Sequence, residues 1–193
     1  DPNWRAAIWG TVSGHGVTLL RDGIESTVVT RQELPRSKFE VVELKMEGVQ
    51  KLGREQFDLM QQLTALTRLE LSGSHIKDQQ LRQIGRLMQL KSLHLGGNTL
   101  ISDAGVKFLN KLTELTSLNL RFTSVGDQGL RSIGLLTQLQ EINLEGTDVS
   151  NKGLKLLQEL HNLKLIQLKY TNVTAVGAER LRAMLPGCVV EHN

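Results

Sequence analysis

Apolar residues recur along this chain in a fixed phrase. Leu66, Leu69 and Leu71 set the pattern L-x-x-L-x-L, which returns at Leu90, Leu93 and Leu95, at Leu115, Leu118 and Leu120, at Leu139, Ile142 and Leu144, and at Leu163, Ile166 and Leu168. Subtraction gives steps of 24, 25, 24 and 24 residues, the one extra residue falling in 96–103. A looser first copy starts at Phe39, Val42 and Leu44, 27 residues ahead of Leu66, and a truncated one closes the chain at Leu185, Cys188 and Val190. Self-similarity at this period is the mark of stacked units, none of which can bury its apolar face alone.

Each copy predicts the same elements. The alternation L-x-L is a short strand with one buried face. Three residues beyond the second strand leucine comes a hydroxyl or amide, Ser74, Asn98, Thr123, Thr147 or Thr171. Stacking would align these side chains to satisfy backbone groups of a neighbouring turn. A buried aliphatic follows at Ile76, Val125, Val149 and Val173, then D-x-G-L, complete at 127–130 and with Val106 for leucine at 103–106. The aspartate reads as the N-cap of an amphipathic helix, kept by Asp78 and replaced by Asn151. These helices should bury Leu81, Ile84, Leu87; Val106, Leu109, Leu112; Leu130, Ile133, Leu136; and Leu154, Leu157, Leu160,. Parallel strands ~4.8 Å apart on one side and wider helices on the other bend such a stack into a solenoid with the strands concave.

The series identifies leucine-rich repeats. The continuation T-x-V-x-D-x-G-L resembles the bacterial repeats abundant in planctomycetes, related to the cysteine-containing class with Thr in place of Cys. Arg5-Ala6-Ala7 with Trp9 resembles that group's capping helix, Leu34-Pro35 its lead into a degenerate first repeat, and Leu185-Pro186-Gly187-Cys188 its stop. Departures are Gln80 for the motif glycine, Ala175 for the capping Asp, and the aromatics described below. The resemblance implies an α/β leucine-rich-repeat solenoid that binds proteins, often beside other modules in a longer chain. One continuous domain is expected: a cap over 1–38, repeats over 39–185 and a closing half-strand over 186–193. In the cap, a short helix carries Trp4 and Trp9 as core, and β-prone runs at 17–20 and 25–30 bracket the turn signal Asp22-Gly23,.

Composition narrows the picture. Roughly 35 leucines, about twice the average share, sit in a chain that is 39% hydrophobic, 22% charged and 4% aromatic, too apolar for disorder,. No apolar run approaches the ~20 residues of a membrane span. The net charge of +3 is scattered, which argues against a nucleic-acid surface despite a pI near 9.1,. Opening at Asp1 without a basic-then-apolar leader, the chain is expected to be an excised or processed piece, of unknown compartment,.

Chemistry is sparse. There is no G-x-x-x-x-G-K-[ST], G-x-S-x-G or H-E-x-x-H,. Ser13-Gly14-His15-Gly16 is a turn entering the cap hairpin, the five histidines lie in different structural slots, and Cys188 is a packed thiol, so neither a metal nor a cofactor is expected,. Residues flanking the buried strand leucines form rows across the concave face. The first reads Val41, Arg68, Ser92, Ser117, Glu141, Leu165; the second Glu43, Glu70, His94, Asn119, Asn143, Gln167; the third Lys45, Ser72, Gly96, Arg121, Glu145, Lys169. Just beyond come Met46, Gly73, Gly97, Phe122, Gly146 and Tyr170. Two places break the pattern: Arg121-Phe122 and Lys169-Tyr170 stand where other repeats carry Ser-Gly, Gly-Gly or Glu-Gly. Cation and aromatic are the types enriched at interface hot spots, and the exposed apolar Leu165 shares the face.

The expected function is a non-catalytic protein- or peptide-binding module. Its anchors are Arg121, Phe122, Lys169, Tyr170 and Leu165, surrounded by His94, Asn119, Asn143, Glu145, Glu141, Arg68 and Glu70. The alternative is a structural, regulatory or self-associating appendage of a larger bacterial protein. An enzyme or sugar binder would need a deep pocket with convergent carboxylates. Glu141 and Glu145 stand ~13 Å apart along their strand, and His94 beside Glu70 is read as a solvated pair.

Overall fold

The computed structural model describes residues 1–12, 14–50 and 52–193; Ser13 of the expected entry turn lies outside them. A helix, α1 (Pro2–Val12), leads into the hairpin β1 (Val17–Arg21) and β2 (Ile24–Val28). Asp22 and Gly23 both take positive φ, 52° and 79°, as a two-residue hairpin turn requires,. The strands β3 (Glu40–Lys45), β4 (Arg68–Glu70), β5 (Ser92–His94), β6 (Ser117–Asn119), β7 (Glu141–Asn143), β8 (Leu165–Gln167) and β9 (Val189–Glu191) follow in order. The strands of the described residues form one nine-stranded sheet in the order β2-β1-β3-β4-β5-β6-β7-β8-β9, parallel from β3 onward and antiparallel through the hairpin. The repeat leucines are the core: Leu93, Leu95, Leu118, Leu120, Ile142, Leu144, Ile166 and Leu168 are all buried. Trp4 packs against Phe39 with ring centroids 5.2 Å apart, and Trp9 also rests on the core.

The pairing register corrects the reading of the first copy. Leu44 pairs with Leu69, Glu43 with Arg68 and Lys45 with Glu70. The first unit is therefore Val41-x-x-Leu44-x-Met46, all three fully buried, one 25-residue step ahead of Leu66. The phrase starting at Phe39 misled because Phe39 and Val42 are buried as well. Val41 thus leaves the exposed rows, Glu43 and Lys45 each move one row, and Glu47 replaces Lys45 beside Ser72.

Helices back the sheet: α2 (Arg54–Met60), α3 (Asp78–Ile84), α4 (Asp103–Val106), α5 (Asp127–Ile133), α6 (Asn151–Leu154) and α7 (Ala175–Met184). α4 and α6 tighten into 3-10 turns over Lys107–Lys111 and Lys155–Leu157. Buried side chains at a strict spacing of three suit the three residues per turn of that helix.

The motif aspartates are not the caps. The N-caps sit one residue earlier, and Ser102, Ser150 and Thr174 accept from backbone N–H groups of the first turn. Asp78 instead reaches the next unit, accepting from the Ser102 N–H at 2.8 Å and its hydroxyl at 2.6 Å. Asp103 accepts from the Gly126 N–H at 2.7 Å, and Asp127 from the Ser150 N–H and hydroxyl at 2.8 and 2.7 Å. Asn151 continues the ladder, accepting from the Thr174 N–H at 3.0 Å and donating to its hydroxyl at 2.9 Å. The glycine of D-x-G makes room: a Cβ at Gly105, Gly129, Gly153 or Gly177 would overlap the Asp or Asn side chain of the preceding unit.

Both departures from the motif now have a cause. The residue matching Asp78 one unit earlier is Arg54, so Gln80 has no carboxylate to accommodate, and its amide donates to the Leu52 carbonyl. Ala175 opens α7, which among the described residues is followed by β9 and by no helix start for an acid to hold. The stacked polar column is mixed. Ser74 donates to the Met46 carbonyl and Asn98 to that of Leu71, each in the preceding unit. Thr123, Thr147 and Thr171 donate instead to Leu120, Leu144 and Leu168 within their own turns.

Candidate functional site

The six strand-to-loop turns share one backbone geometry. The Gly48, Gly73, Gly97, Phe122 and Gly146 N–H groups donate in turn to the carbonyls of Ser72, Gly96, Arg121, Glu145 and Lys169, at 2.7–2.9 Å. At the end of the column the Tyr170 N–H donates to the Asn193 side chain instead. All six residues have φ between 52° and 73°. Four are glycines, for which this left-handed region is free; an L-residue there costs roughly 1–2 kcal/mol. Phe122 and Tyr170 accept that strain while standing 45% and 69% exposed.

Neighbouring positions accommodate Arg121 and Phe122. A Cβ at Gly146 would overlap the Phe122 ring, which therefore lies over that glycine. Gly96 has no positive φ to explain it, but a Cβ there would stand 2.8 Å from Arg121 Cγ and 3.2 Å from Asn119 Oδ1. Arg121 lies back across Gly96 while its guanidinium stays near its own Phe122 ring, 5.9 Å from the centroid. Lys169 and Tyr170, two units on, are both exposed.

The remaining candidates divide into structural and open groups. Arg68 is drawn into the cap: its guanidinium donates to Glu25 at 2.6 and 3.2 Å and sits 3.7 Å from Glu43, tying the hairpin to the first regular repeat. The second row turns inward on its own backbone. Glu70, Asn119 and Asn143 accept from the N–H groups of Ser72, Arg121 and Glu145 at 2.8, 3.0 and 2.9 Å. Asn143 also donates to Gln167 at 2.7 Å, and Gln167 to Glu191 at 3.0 Å. Leu165 is half-buried rather than exposed, at the floor of a shallow depression shared with Ser117, Asn119, Glu141 and Asn143. Glu141 is exposed and Glu145 half-buried.

His94 and Glu70 form a close pair, Nδ1 to Oε2 at 2.7 Å. The Glu70 hydrogen bond raises the His94 pKa above its ordinary 6.5 against the effect of burial. Burial pushes the Glu70 carboxyl up, but hydrogen bonds from His94 and Ser72 outweigh it and hold the pKa below 4.5. The raised His94 contributes stability that is full below pH 6.5 and lost as pH rises through its folded value; the depressed Glu70 contributes above pH 4.5 and loses it on acidification,. Because both groups touch solvent, the gain is a fraction of a kcal/mol, about 1–2 °C of melting temperature. Between pH 5.5 and 8.5 the wild type should lose that increment and His94→Gln should not; equal pH profiles would contradict the pairing.

Among the described residues, no group of three or more His, Cys, Asp or Glu is placed to hold a metal ion, and no helix is long and apolar enough to cross a membrane. What the site offers is a flat, exposed cation-and-aromatic surface.

A family model described as leucine-rich repeat matches residues 87–109 and 111–134. No curated protein sequence matches the chain. Among solved structures, internalin C2 of Listeria monocytogenes is similar over 100% of this chain and 92% of its own, at 18% identity and a TM-score of 0.54. A leucine-rich-repeat protein of Leptospira interrogans matches 69% of this chain at 22% identity and a TM-score of 0.51. The aligned region spans only 33% of the Leptospira protein. Identities this low speak for the fold alone. With leucine-rich-repeat sequence matched over residues 87–109 and 111–134 and its architecture shared with bacterial repeat proteins, the chain carries leucine-rich repeats and has the leucine-rich-repeat fold.

Proposed function

We propose that the strand side of this solenoid is a non-catalytic protein- or peptide-binding surface, anchored by Arg121, Phe122, Lys169 and Tyr170. The observation that carries the reading is the pair of exposed aromatics in left-handed backbone, at turns where the other four units have glycine. At Tyr170 above all, backbone strain retained with little burial of the side chain points to a use outside the fold,. Leu165, Glu141 and Glu145 flank the anchors. Asn119, Asn143, Glu70 and His94 hold the floor rigid, and Arg68 secures the cap.

The test is a pull-down from lysate of the source organism, with the wild type beside the double variant Phe122→Ala, Tyr170→Ala. A partner captured by the wild type and lost by the folded variant supports the reading. Equal capture by both contradicts the site. A wild-type dimer in light scattering that the double variant dissociates would favour self-association instead.

A further inference from the structure

We propose that this binding surface takes an extended acidic segment of a partner protein, with one carboxylate on Arg121 and a second on Lys169. The inference rests on the binding reading above and adds the chemistry of the ligand. Arg121 and Lys169 are exposed, and neither joins an ion pair among the described residues. By contrast Arg68, on the same face, is consumed by Glu25 and Glu43. Two units apart, the backbones carrying the open cations are about 10 Å apart by strand spacing, one turn of an extended polyproline-II chain, which brings residues i and i+3 to the same side.

Arg121 has a prepared seat. The absent side chain at Gly96 lets its stem lie flat, and the adjacent Phe122 ring limits where the guanidinium can go. An ordered guanidinium fork favours a carboxylate, which it can bind through two parallel hydrogen bonds. The Phe122 ring, over Gly146 in the unit between the cations, and the exposed Tyr170 ring beside Lys169 offer apolar surface for the residues that accompany the two acids.

Acid groups on the same face decide the class of partner. Glu145 lies between Arg121 and Lys169 in the third row, Glu191 extends the second row and Glu141 stands in the first. A nucleic-acid backbone, charged at every step, would run over those carboxylates. A polypeptide can place its two acids at the cations and leave neutral or basic residues opposite Glu145.

The experiment pans a yeast-displayed library of random 12-residue peptides against the 193-residue chain and titrates the enriched peptides against variants. The expected consensus has two acidic residues separated by two others, at least one of them apolar. Affinity should fall about tenfold or more with Arg121→Glu and with Lys169→Glu, severalfold with Gly96→Ala, which unseats Arg121, and on raising salt from about 50 to 500 mM. Neutral or basic consensus peptides that need Phe122 and Tyr170 but ignore both charge reversals would overturn the acidic partner and leave the binding surface standing. A library yielding no peptide that Phe122→Ala, Tyr170→Ala releases would overturn both.

Discussion

Tyr170→Gly stabilises the fold and weakens partner binding, each by an amount that is easily measured. Tyr170 sits at φ 57° with its ring 69% exposed, so glycine relieves strain while giving up little packing. Relief of left-handed strain is worth roughly 1 kcal/mol after the added chain entropy of glycine is deducted. For a chain of this length that raises the melting temperature by about 2–4 °C. Phe122→Gly gains less, because the ring also covers Gly146. Binding moves the other way: truncating a hot-spot aromatic costs about 2 kcal/mol or more, some thirtyfold in affinity. A structural ring would show the reverse pattern. If Tyr170→Gly lowers the melting temperature and leaves affinity unchanged, the aromatics belong to the fold and the site is elsewhere.

Gly153→Ala should cost about 2–3 kcal/mol, or roughly 4–10 °C of melting temperature. The new Cβ would overlap the Asp127 carboxylate, which holds the next helix start through the Ser150 N–H and hydroxyl. The carboxylate can move aside only by giving up hydrogen bonds to a charged acceptor. Asp127→Ala loses the same bonds by a different route and should cost about as much. The two together should cost little more than either alone, a coupling of about 1–2 kcal/mol that identifies the shared interaction. Strict additivity would show that the aspartate ladder does not join the units. The natural chain already holds a related pairing, since Gln80 replaces the motif glycine where the preceding unit has Arg54 instead of Asp.

The parts of the fold readable from the sequence are those fixed by local periodicity. Strand leucines spaced by 24 or 25 residues mark the five regular units whatever their neighbours do, and Asp22-Gly23 marks a turn through its own backbone preference. The first unit's register was hidden because two apolar phases overlap there. Phe39 and Val42 are buried beside the true repeat positions Val41, Leu44 and Met46. Gly48, aligned with Gly73 and Gly97, was the available signal. The aspartates misled for a different reason. An acid at a helix start is locally indistinguishable from a cap, and only stacking shows that Asp78, Asp103 and Asp127 reach the next unit. The coincident loss of the glycine at Gln80 and of the acid at Ala175, at opposite ends of the series, carried that information.

The candidate site was legible as an anomaly. Arg121-Phe122 and Lys169-Tyr170 interrupt a glycine column, and the structure supplies the physical meaning of the interruption in positive φ. Hidden from the sequence were the seat at Gly96 and the commitment of Arg68 to the cap, which depend on side-chain directions across units. Leu165 is half-buried where the sequence suggests an exposed residue, because strand alternation gives the face but not the depth of burial.

The most direct measurement is a calorimetric titration of the recovered partner, or its binding segment, into the wild type and into Phe122→Ala, Tyr170→Ala, with thermal melts of both proteins. The account predicts a loss of at least about a hundredfold in affinity while the double variant keeps a cooperative melt, alanine retaining the left-handed strain and giving up the cover of the Phe122 ring over Gly146,. Equal affinities for two folded proteins would contradict it.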